Sequence, residues 1–141
     1  MKQRLVPLVA FMLMFFASVT IVFAQQRISS PVGPPENWVR PFEGFRVIGN
    51  LYGVGSYDLS VFLITTDDGH ILINTGLRDS TQMIRNNIES LGFRLEDVKI
   101  LLTQQAHWDH TAALAEIKEI TGAEIWATVR DARVLEDGGF S

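Results

Sequence analysis

The feature that most constrains the fold of this chain is a five-residue run, Val98–Leu102. The run is mostly apolar and of strand length, which predicts a strand buried on both faces, as in a parallel sheet. Apolar residues recur at about helical spacing before it (Met83, Ile84, Ile88, Leu91) and after it (Ala112, Ala113, Leu114, Ile117, Ile120). A buried strand between two amphipathic helices predicts an α/β fold with helices layered against a sheet.

A hairpin is predicted upstream of the first helix. Leu59–Thr66 and His70–Asn74 are rich in β-forming residues and flank Asp67-Asp68-Gly69. An Asp-Gly pair between two such runs is a strong hairpin signal. Phe45–Tyr52 alternates well enough to predict a further strand, which Gly53-Val54-Gly55 ends.

The helix boundaries have recognisable signals. Asp79 is a candidate N-cap, Gln82 completes a capping box with it, and Gly92 is a stop signal. The order that follows is a helix, a short strand and a last helical stretch: Thr111–Ile120, Ala123–Ala127 and the residues up to Gly138.

The N-terminus has the pattern of an export signal. Lys2 and Arg4 precede the apolar run Leu5–Ile21, and Val22-Phe23-Ala24 resembles a small-residue cleavage site. The alternative is a membrane anchor, because the run approaches the length that spans a bilayer. Polar residues within the run and after it favour cleavage. We therefore expect a signal peptide at residues 1–24 and a periplasmic chain without stable membrane association, beginning with an extended, proline-rich lead-in, Gln25–Asn37.

Charge and composition exclude several classes of protein. The net charge is −4 without a Lys/Arg-rich run, so a nucleic-acid interface is not expected. The chain has no cysteine, which excludes disulfides, thiolate metal ligands and a cysteine nucleophile. Neither Ser-x-x-Lys nor Gly-x-Ser-x-Gly occurs, so the common serine hydrolase motifs are absent. A metal site would have to use imidazole, carboxylate, amide or water ligands.

The residues richest in metal-binding chemistry are Gln105-Ala106-His107-Trp108-Asp109-His110, directly after the predicted buried strand. Ligand-binding loops gather at that end of α/β strands, and imidazole nitrogen and carboxylate oxygen are good zinc ligands. In an extended loop, Gln105, His107 and Asp109 would project to one side and His110 to the other, so one loop would address two adjacent metal positions. Alternatively, Asp109 or Thr111 caps the next helix and His107 is a partly buried structural histidine.

This loop resembles the His-x-His-x-Asp-His motif of the metallo-β-lactamase superfamily, with Gln105 in the first His position. Ile71–Gly76 and Thr121–Ala123 are also similar to the segments that precede and follow the motif in that family. The likeness is greatest to subclass B3, and within it to the GOB-type branch, which has Gln at the first position. It extends over residues 36–141. The resemblance implies an αβ/βα sandwich with metals at its seam, of which residues 25–141 would form the N-terminal half.

The family pattern implies a role for each motif residue. His107 would bind a first zinc ion, with Gln105 completing that site through its side-chain oxygen, and Asp109 and His110 would bind a second. Because an amide oxygen is a poorer zinc donor than imidazole, we expect the second site to be better occupied. Asp109 is also the candidate catalytic residue, since its carboxylate would orient the attacking water. Asn74, where many relatives have Asp, removes a possible charge behind the site.

The implied activity is zinc-dependent hydrolysis of the amide bond of small-molecule β-lactams by one or two Zn²⁺. A zinc ion with an open coordination position lowers the pKa of its water to about 7. The alternatives are a lactone or thioester hydrolase on the same fold, or an inactive truncated product. Family members take a third ligand for each metal from their second half, and His70 is poorly placed to substitute. A complete enzyme is expected to be a monomer, whereas half a sandwich would leave a large apolar sheet face exposed.

Three further expectations concern single residues. His70 is interpreted as a surface turn residue. The aromatic residues near the start of the mature chain, Trp38, Phe42 and Phe45, are interpreted as core, with the edge of a substrate cleft as the alternative. Trp108 would either pack under the motif loop or line the cleft.

Overall fold

The computed structural model describes residues 33–138. The expected signal peptide and the lead-in before Gly33 lie outside the described residues. Within them, six strands form one sheet in chain order: β1 (Phe45–Ile48), β2 (Leu51–Gly53), β3 (Phe62–Ile64), β4 (His70–Ile73), β5 (Val98–Leu102) and β6 (Glu124–Trp126). The helices of the same region are α1 (Glu36–Val39), α2 (Thr81–Ser90), α3 (Trp108–Thr111), α4 (Leu114–Thr121) and α5 (Val129–Glu136).

The sheet combines an antiparallel and a parallel half. Strands β1 to β4 pair antiparallel, and β5 and β6 add to β4 in parallel. Parallel neighbours require crossover connections, which α2 provides between β4 and β5 and which α3 and α4 provide between β5 and β6. The α/β class is confirmed, and so is the predicted hairpin, in which Phe62 pairs with Ile73.

The predicted strand Phe45–Tyr52 is wrong, because a tight turn divides it into β1 and β2. Ile48 pairs with Leu51, so only Gly49 and Asn50 lie in the turn. Gly49 has φ +53°, a conformation that glycine adopts without strain. The Gly-Asn dipeptide is itself a hairpin signal, and the alternation of the flanking residues concealed it.

The boundaries of two helices also differ from expectation. The lead-in does not stay extended to Asn37, since α1 begins at Glu36. The capping box of Asp79 and Gln82 is wrong: Arg78–Ser80 form a 3₁₀ turn in which the Ser80 hydroxyl accepts a hydrogen bond from the Leu77 N–H. The Gln82 amide instead donates to Asn86 Oδ1. The predicted stop is confirmed, because α2 ends at Ser90 and the chain turns at Gly92.

The hydrophobic core lies on one face of the sheet. Leu63, Leu72 and Leu101 are cross-strand neighbours on β3, β4 and β5, and each is fully buried. The residues that cover them from α2 and α4 are also buried: Ile84, Ile88, Leu114 and Ile117. The packing of these buried side chains holds the helices against the sheet.

The opposite face of the sheet, called here the open face, is exposed in part. It contains the two cross-strand rows Ile48-Leu51-Ile64-Ile71-Ile100-Glu124 and Phe45-Gly53-Phe62-Ile73-Leu102-Trp126. Exposure reaches 73% at Ile48 and 53% at Trp126, and Leu102 is 36% exposed. Burial of β5 on both faces is therefore wrong for this chain, and the expected exposed apolar sheet face is confirmed.

The helices of residues 33–138 are short. None of them has both the length and the apolar character that crossing a membrane requires.

Candidate metal centre

The predicted metal-binding residues lie where the chain leaves β5. The helix predicted over Thr111–Ile120 begins earlier, at Trp108, and is divided into α3 and α4. The Thr111 hydroxyl donates to the His107 carbonyl at 3.0 Å, and the Ala112 N–H donates to the Trp108 carbonyl at 2.9 Å. The capping alternative is wrong, since neither Asp109 nor Thr111 caps α3 or α4 with its side chain.

The helical turn brings two predicted ligands together. Asp109 Oδ2 and His110 Nε2 lie 3.3 Å apart, and each side chain is 17% exposed. The expectation that these side chains project to opposite sides is wrong, because it assumed an extended loop. In a helical turn, successive side chains diverge by only about 100°.

The spacing of these two atoms fits one zinc coordination sphere. With zinc–nitrogen and zinc–oxygen bonds of about 2.0–2.2 Å, neighbouring ligands of a tetrahedral zinc are about 3.4 Å apart. Asp109 Oδ2 and His110 Nε2 are separated by 3.3 Å. The same distance also suits a weak Asp–His hydrogen bond, which a bound cation would replace. The pair therefore supplies two donors suited to zinc in position and in chemical type.

The other predicted ligands are less closely grouped. His107 is exposed and immediately precedes α3, and Gln105 is half-buried, with its carbonyl accepting from the Thr103 hydroxyl at 2.6 Å. Within residues 33–138, no three His, Asp or Glu side chains form a group that could hold one metal ion. Within this region the structure thus brings Asp109 and His110 together without a third such donor beside them.

His70 lies at the other end of the sheet. It begins β4 opposite Val98, whereas the motif follows the last residue of β5. Its interpretation as a turn residue is wrong: the side chain is half-buried, its ring meets Phe93 edge-on at 5.4 Å, and its Nδ1 accepts from the Thr66 N–H. His70 is therefore not positioned to join the metal-binding residues.

The turn after β4, Asn74-Thr75-Gly76, holds the motif at both ends. The Thr75 N–H and hydroxyl both donate to the His110 carbonyl, at 2.8 and 3.1 Å. The Ala112 N–H donates to the Gly76 carbonyl at 3.1 Å. At the other end, the Gln104 N–H donates to Asn74 Oδ1 at 3.4 Å. These contacts between distant parts of the sequence fix where the loop turns into α3.

Asp131 is a loop contact that the sequence analysis missed. Its Oδ1 accepts from the Ala106 N–H at 3.1 Å, which ties the start of α5 to the motif loop. Its own N–H donates to the hydroxyl of Thr128, the N-cap of α5. The Thr128-x-x-Asp131 spacing of a capping box signals the start of α5, but not the contact with Ala106.

Trp108 contacts aromatic residues and lines open space. It is 57% exposed, and its ring centroid lies 5.9 Å from that of Trp38. It borders two cavities of about 700 and 560 Å³, neither of which is lined by Asp109 or His110. The core interpretation is wrong for Phe42 and Phe45, which are 45% and 47% exposed. Of these aromatic residues, Trp108 lines the two cavities, whereas Phe42 and Phe45 do not.

A parallel β-strand followed by a loop and a helical turn that bring an Asp and a His donor together defines a candidate metalloprotein of the α/β class. The sequence profile described as "Metallo-beta-lactamase superfamily" matches residues 57–141, which include the whole motif. The chain belongs to this superfamily.

Solved structures of similar proteins agree with this assignment. The chain is 53% identical to the class B3 di-zinc metallo-β-lactamase LRA-12 from an Alaskan soil metagenome, with a TM-score of 0.76 over 81% of this chain and 43% of that one. It is 48% identical to the metallo-β-lactamase GOB-18 from Elizabethkingia meningoseptica, with a TM-score of 0.75 over 79% of this chain and 42% of that one. The subclass B3 enzyme BJP-1 of Bradyrhizobium japonicum is 46% identical, with a TM-score of 0.71 over 73% and 39% of the two chains. The chain thus spans less than half the length of these enzymes.

Proposed function

We propose that this chain contributes the first metal-binding loop of a zinc-dependent β-lactamase of subclass B3, which hydrolyses the amide bond of β-lactam antibiotics. The observation that carries the proposal is the Asp109–His110 pair, whose 3.3 Å separation matches neighbouring zinc ligands. Similarity to LRA-12, a class B3 di-zinc metallo-β-lactamase, supports both the metal and the reaction.

The proposal gives each motif residue a task. Asp109 and His110 hold one zinc ion, and His107 and Gln105 contribute to a second, weaker site. When bound, zinc supplies Lewis-acid activation of water and of the lactam carbonyl. The Asp109 carboxylate accepts a hydrogen bond from the attacking water and so orients it toward that carbonyl. Residues 1–24 would export the protein to the periplasm.

The test begins with the gene. Sequencing past the codon for Ser141 shows whether the reading frame encodes two more histidines for the metal sites. The complete reading frame is then expressed with zinc, and hydrolysis of a carbapenem is followed by the loss of β-lactam absorbance. We expect hydrolysis to stop when a chelator removes zinc and to return when zinc is added back.

Two variants and a matched control make this test specific. We expect Asp109→Asn and His110→Ala to lower kcat/KM for the carbapenem by at least about 100-fold, since even partners behind a metal ligand contribute 10–100-fold. His70→Ala, which removes a histidine at the far end of the sheet, is expected to leave kcat/KM unchanged. Hydrolysis of a lactone or thioester in place of the carbapenem would favour the other hydrolase class. A protein that binds zinc without hydrolysing any of these substrates would contradict the proposal.

A further inference from the structure

Asn74 has an unusual backbone conformation next to the motif loop. Among residues 33–138 it is the only non-glycine residue with positive φ, at 63°. Asn is among the few residues that tolerate this left-handed conformation. Asn74 is also only 2% exposed, although its side chain is polar. A buried carboxamide requires hydrogen-bond partners, and Asn74 has two.

The Asn74 side chain uses both of its hydrogen-bonding functions. Its Oδ1 accepts from the Gln104 N–H at 3.4 Å, and its Nδ2 donates to the Ser60 carbonyl at 3.4 Å. Because a backbone N–H only donates and a carbonyl only accepts, the orientation of the amide is fixed by its partners. An ionised Asp could accept from Gln104 but could not donate to Ser60. The carboxamide therefore suits this position better than a carboxylate would.

The contact with Gln104 acts directly on the motif. Gln104 follows β5 by two residues and immediately precedes Gln105. The Asn74 N–H also donates to the Leu102 carbonyl at 2.8 Å, so one residue fixes both the last residue of β5 and the start of the loop. With Thr75 bonded to the His110 carbonyl, the two ends of the motif are held by adjacent residues.

From these contacts we infer that Asn74 is a positioning residue, whose carboxamide sets the path of the loop from Gln104 onward and thereby the arrangement of the zinc ligands. The inference rests on the proposed zinc function. In this role the neutral Asn74 side chain donates one hydrogen bond and accepts another, which a carboxylate could not do.

The test separates the side chain from the backbone. Asn74→Gly keeps a residue that adopts positive φ freely and removes the side chain, including the carboxamide. Asn74→Asp keeps the size and the acceptor but removes the donor. The control is Asn87→Ala, which removes another buried, hydrogen-bonded amide away from the motif. Both Asn74 variants and the control are expected to lower the melting temperature.

Two measurements distinguish positioning from general stability. In zinc-free protein, we expect hydrogen exchange at the Gln104 backbone amide to be at least about tenfold faster in Asn74→Gly than in wild type. In Asn87→Ala we expect it to be unchanged. Zinc titration of the complete protein, followed through the imidazole NMR signals of His107 and His110, is expected to give a Kd about tenfold weaker for Asn74→Gly and an unchanged Kd for Asn87→Ala. Asn74→Asp should keep the Gln104 protection better than Asn74→Gly does.

The outcomes separate the two proposals. Unchanged Gln104 exchange together with an unchanged zinc Kd in Asn74→Gly would overturn the positioning role. An equal loss of zinc affinity in Asn87→Ala would also overturn it, since the effect would then follow from stability alone. A complete wild-type protein that binds no zinc would contradict the proposed function, while the exchange comparison made without zinc would still decide whether Asn74 anchors the loop.

Discussion

The indole rings of Trp38 and Trp108 lie with their centroids 5.9 Å apart and their planes tilted by 51°. Trp38 belongs to α1 and Trp108 stands between His107 and Asp109, so the contact links the first helix of the described residues to the motif. Aromatic pairs at this spacing contribute about 0.5–1.5 kcal/mol beyond the burial of their area. The pair restricts Trp108, which is the exposed residue of an otherwise half-buried helical turn.

The first prediction is that this pair has a spectroscopic signature. Two indole rings this close couple their transitions, which gives a paired band in the far-ultraviolet circular dichroism spectrum. We expect Trp38→Phe and Trp108→Phe each to abolish the band. Trp126→Phe is the matched control, because Trp126 is the third tryptophan and lies on the open face. Persistence of the band in Trp38→Phe would show that the two rings are not paired in solution.

The second prediction concerns the amide ligand in the motif. Replacing Gln105 with His supplies an imidazole, which is a better zinc donor than an amide oxygen. We expect Gln105→His to tighten the weaker zinc site by about tenfold or more and to leave the stronger site unchanged. Zinc titration of the complete protein by calorimetry measures the affinities of both sites. The control is Gln104→His, which adds a histidine at the exposed neighbouring position; an equal gain there would indicate nonspecific binding by the new imidazole.

The parts of the fold that could be predicted from sequence are those with local causes. The Asp67-Asp68-Gly69 turn produces the hairpin of β3 and β4, and the apolar spacing of Ile84 and Ile88 produces the buried side of α2. The identity of the candidate ligands also follows from the motif, because their chemistry is independent of the fold.

The local conformation of the motif could not be predicted in this way. Thr75 and His110 are 35 residues apart, and Asn74 and Gln104 are 30 apart, yet their contacts determine where the loop ends and α3 begins. Periodicity carries no information about such pairs. The exposed side of β5 was mispredicted for a related reason. An apolar run shows that a strand face is suited to burial, but whether another element packs against that face depends on other parts of the molecule.

The third prediction concerns a buried amide on α2. Asn87 is 8% exposed, and its Nδ2 donates to the carbonyls of Phe42 and Val54, both at 3.0 Å. Replacing it with Leu would leave the Val54 carbonyl without this donor in a buried setting and the Phe42 carbonyl without it in a part-buried one, at a cost of about 1–3 kcal/mol each at most. We expect Asn87→Leu to lower the free energy of unfolding by about 2–3 kcal/mol in urea denaturation. The control is Asn86→Leu on the exposed side of the same helix, where a similar loss would contradict the explanation.

The fourth prediction concerns pH. Arg85 Nη1 lies 2.6 Å from Glu96 Oε1, a hydrogen bond that lowers the pKa of the Glu96 carboxyl and raises the pKa of the Arg85 guanidinium. A carboxyl whose pKa is lowered by folding stabilises the protein above its unfolded-state pKa and loses that effect as the pH falls through the folded-state pKa. We expect wild type to melt slightly above Glu96→Gln at neutral pH. The difference should vanish in acid, below the usual carboxyl range.

Glu89→Gln is the matched control for Glu96→Gln. Glu89 lies 3.5 Å from Arg85 on the same helix and forms a longer contact. We expect Glu89→Gln to change the melting temperature less than Glu96→Gln does, because exposed pairs one helical turn apart contribute little. A difference between wild type and Glu96→Gln that persists unchanged in acid would show that lost packing, and not the charge, is responsible.

The fifth prediction concerns the open face. Eleven of its twelve positions are apolar or glycine, with Glu124 as the exception. Exposed patches of this kind promote association. We expect the isolated chain to self-associate in sedimentation velocity experiments, and Ile48→Lys with Trp126→Lys to shift it toward monomer. The control is Val129→Lys on α5, which is 79% exposed but lies off the sheet. If the control dissociates the assembly equally, net charge and not the open face controls association.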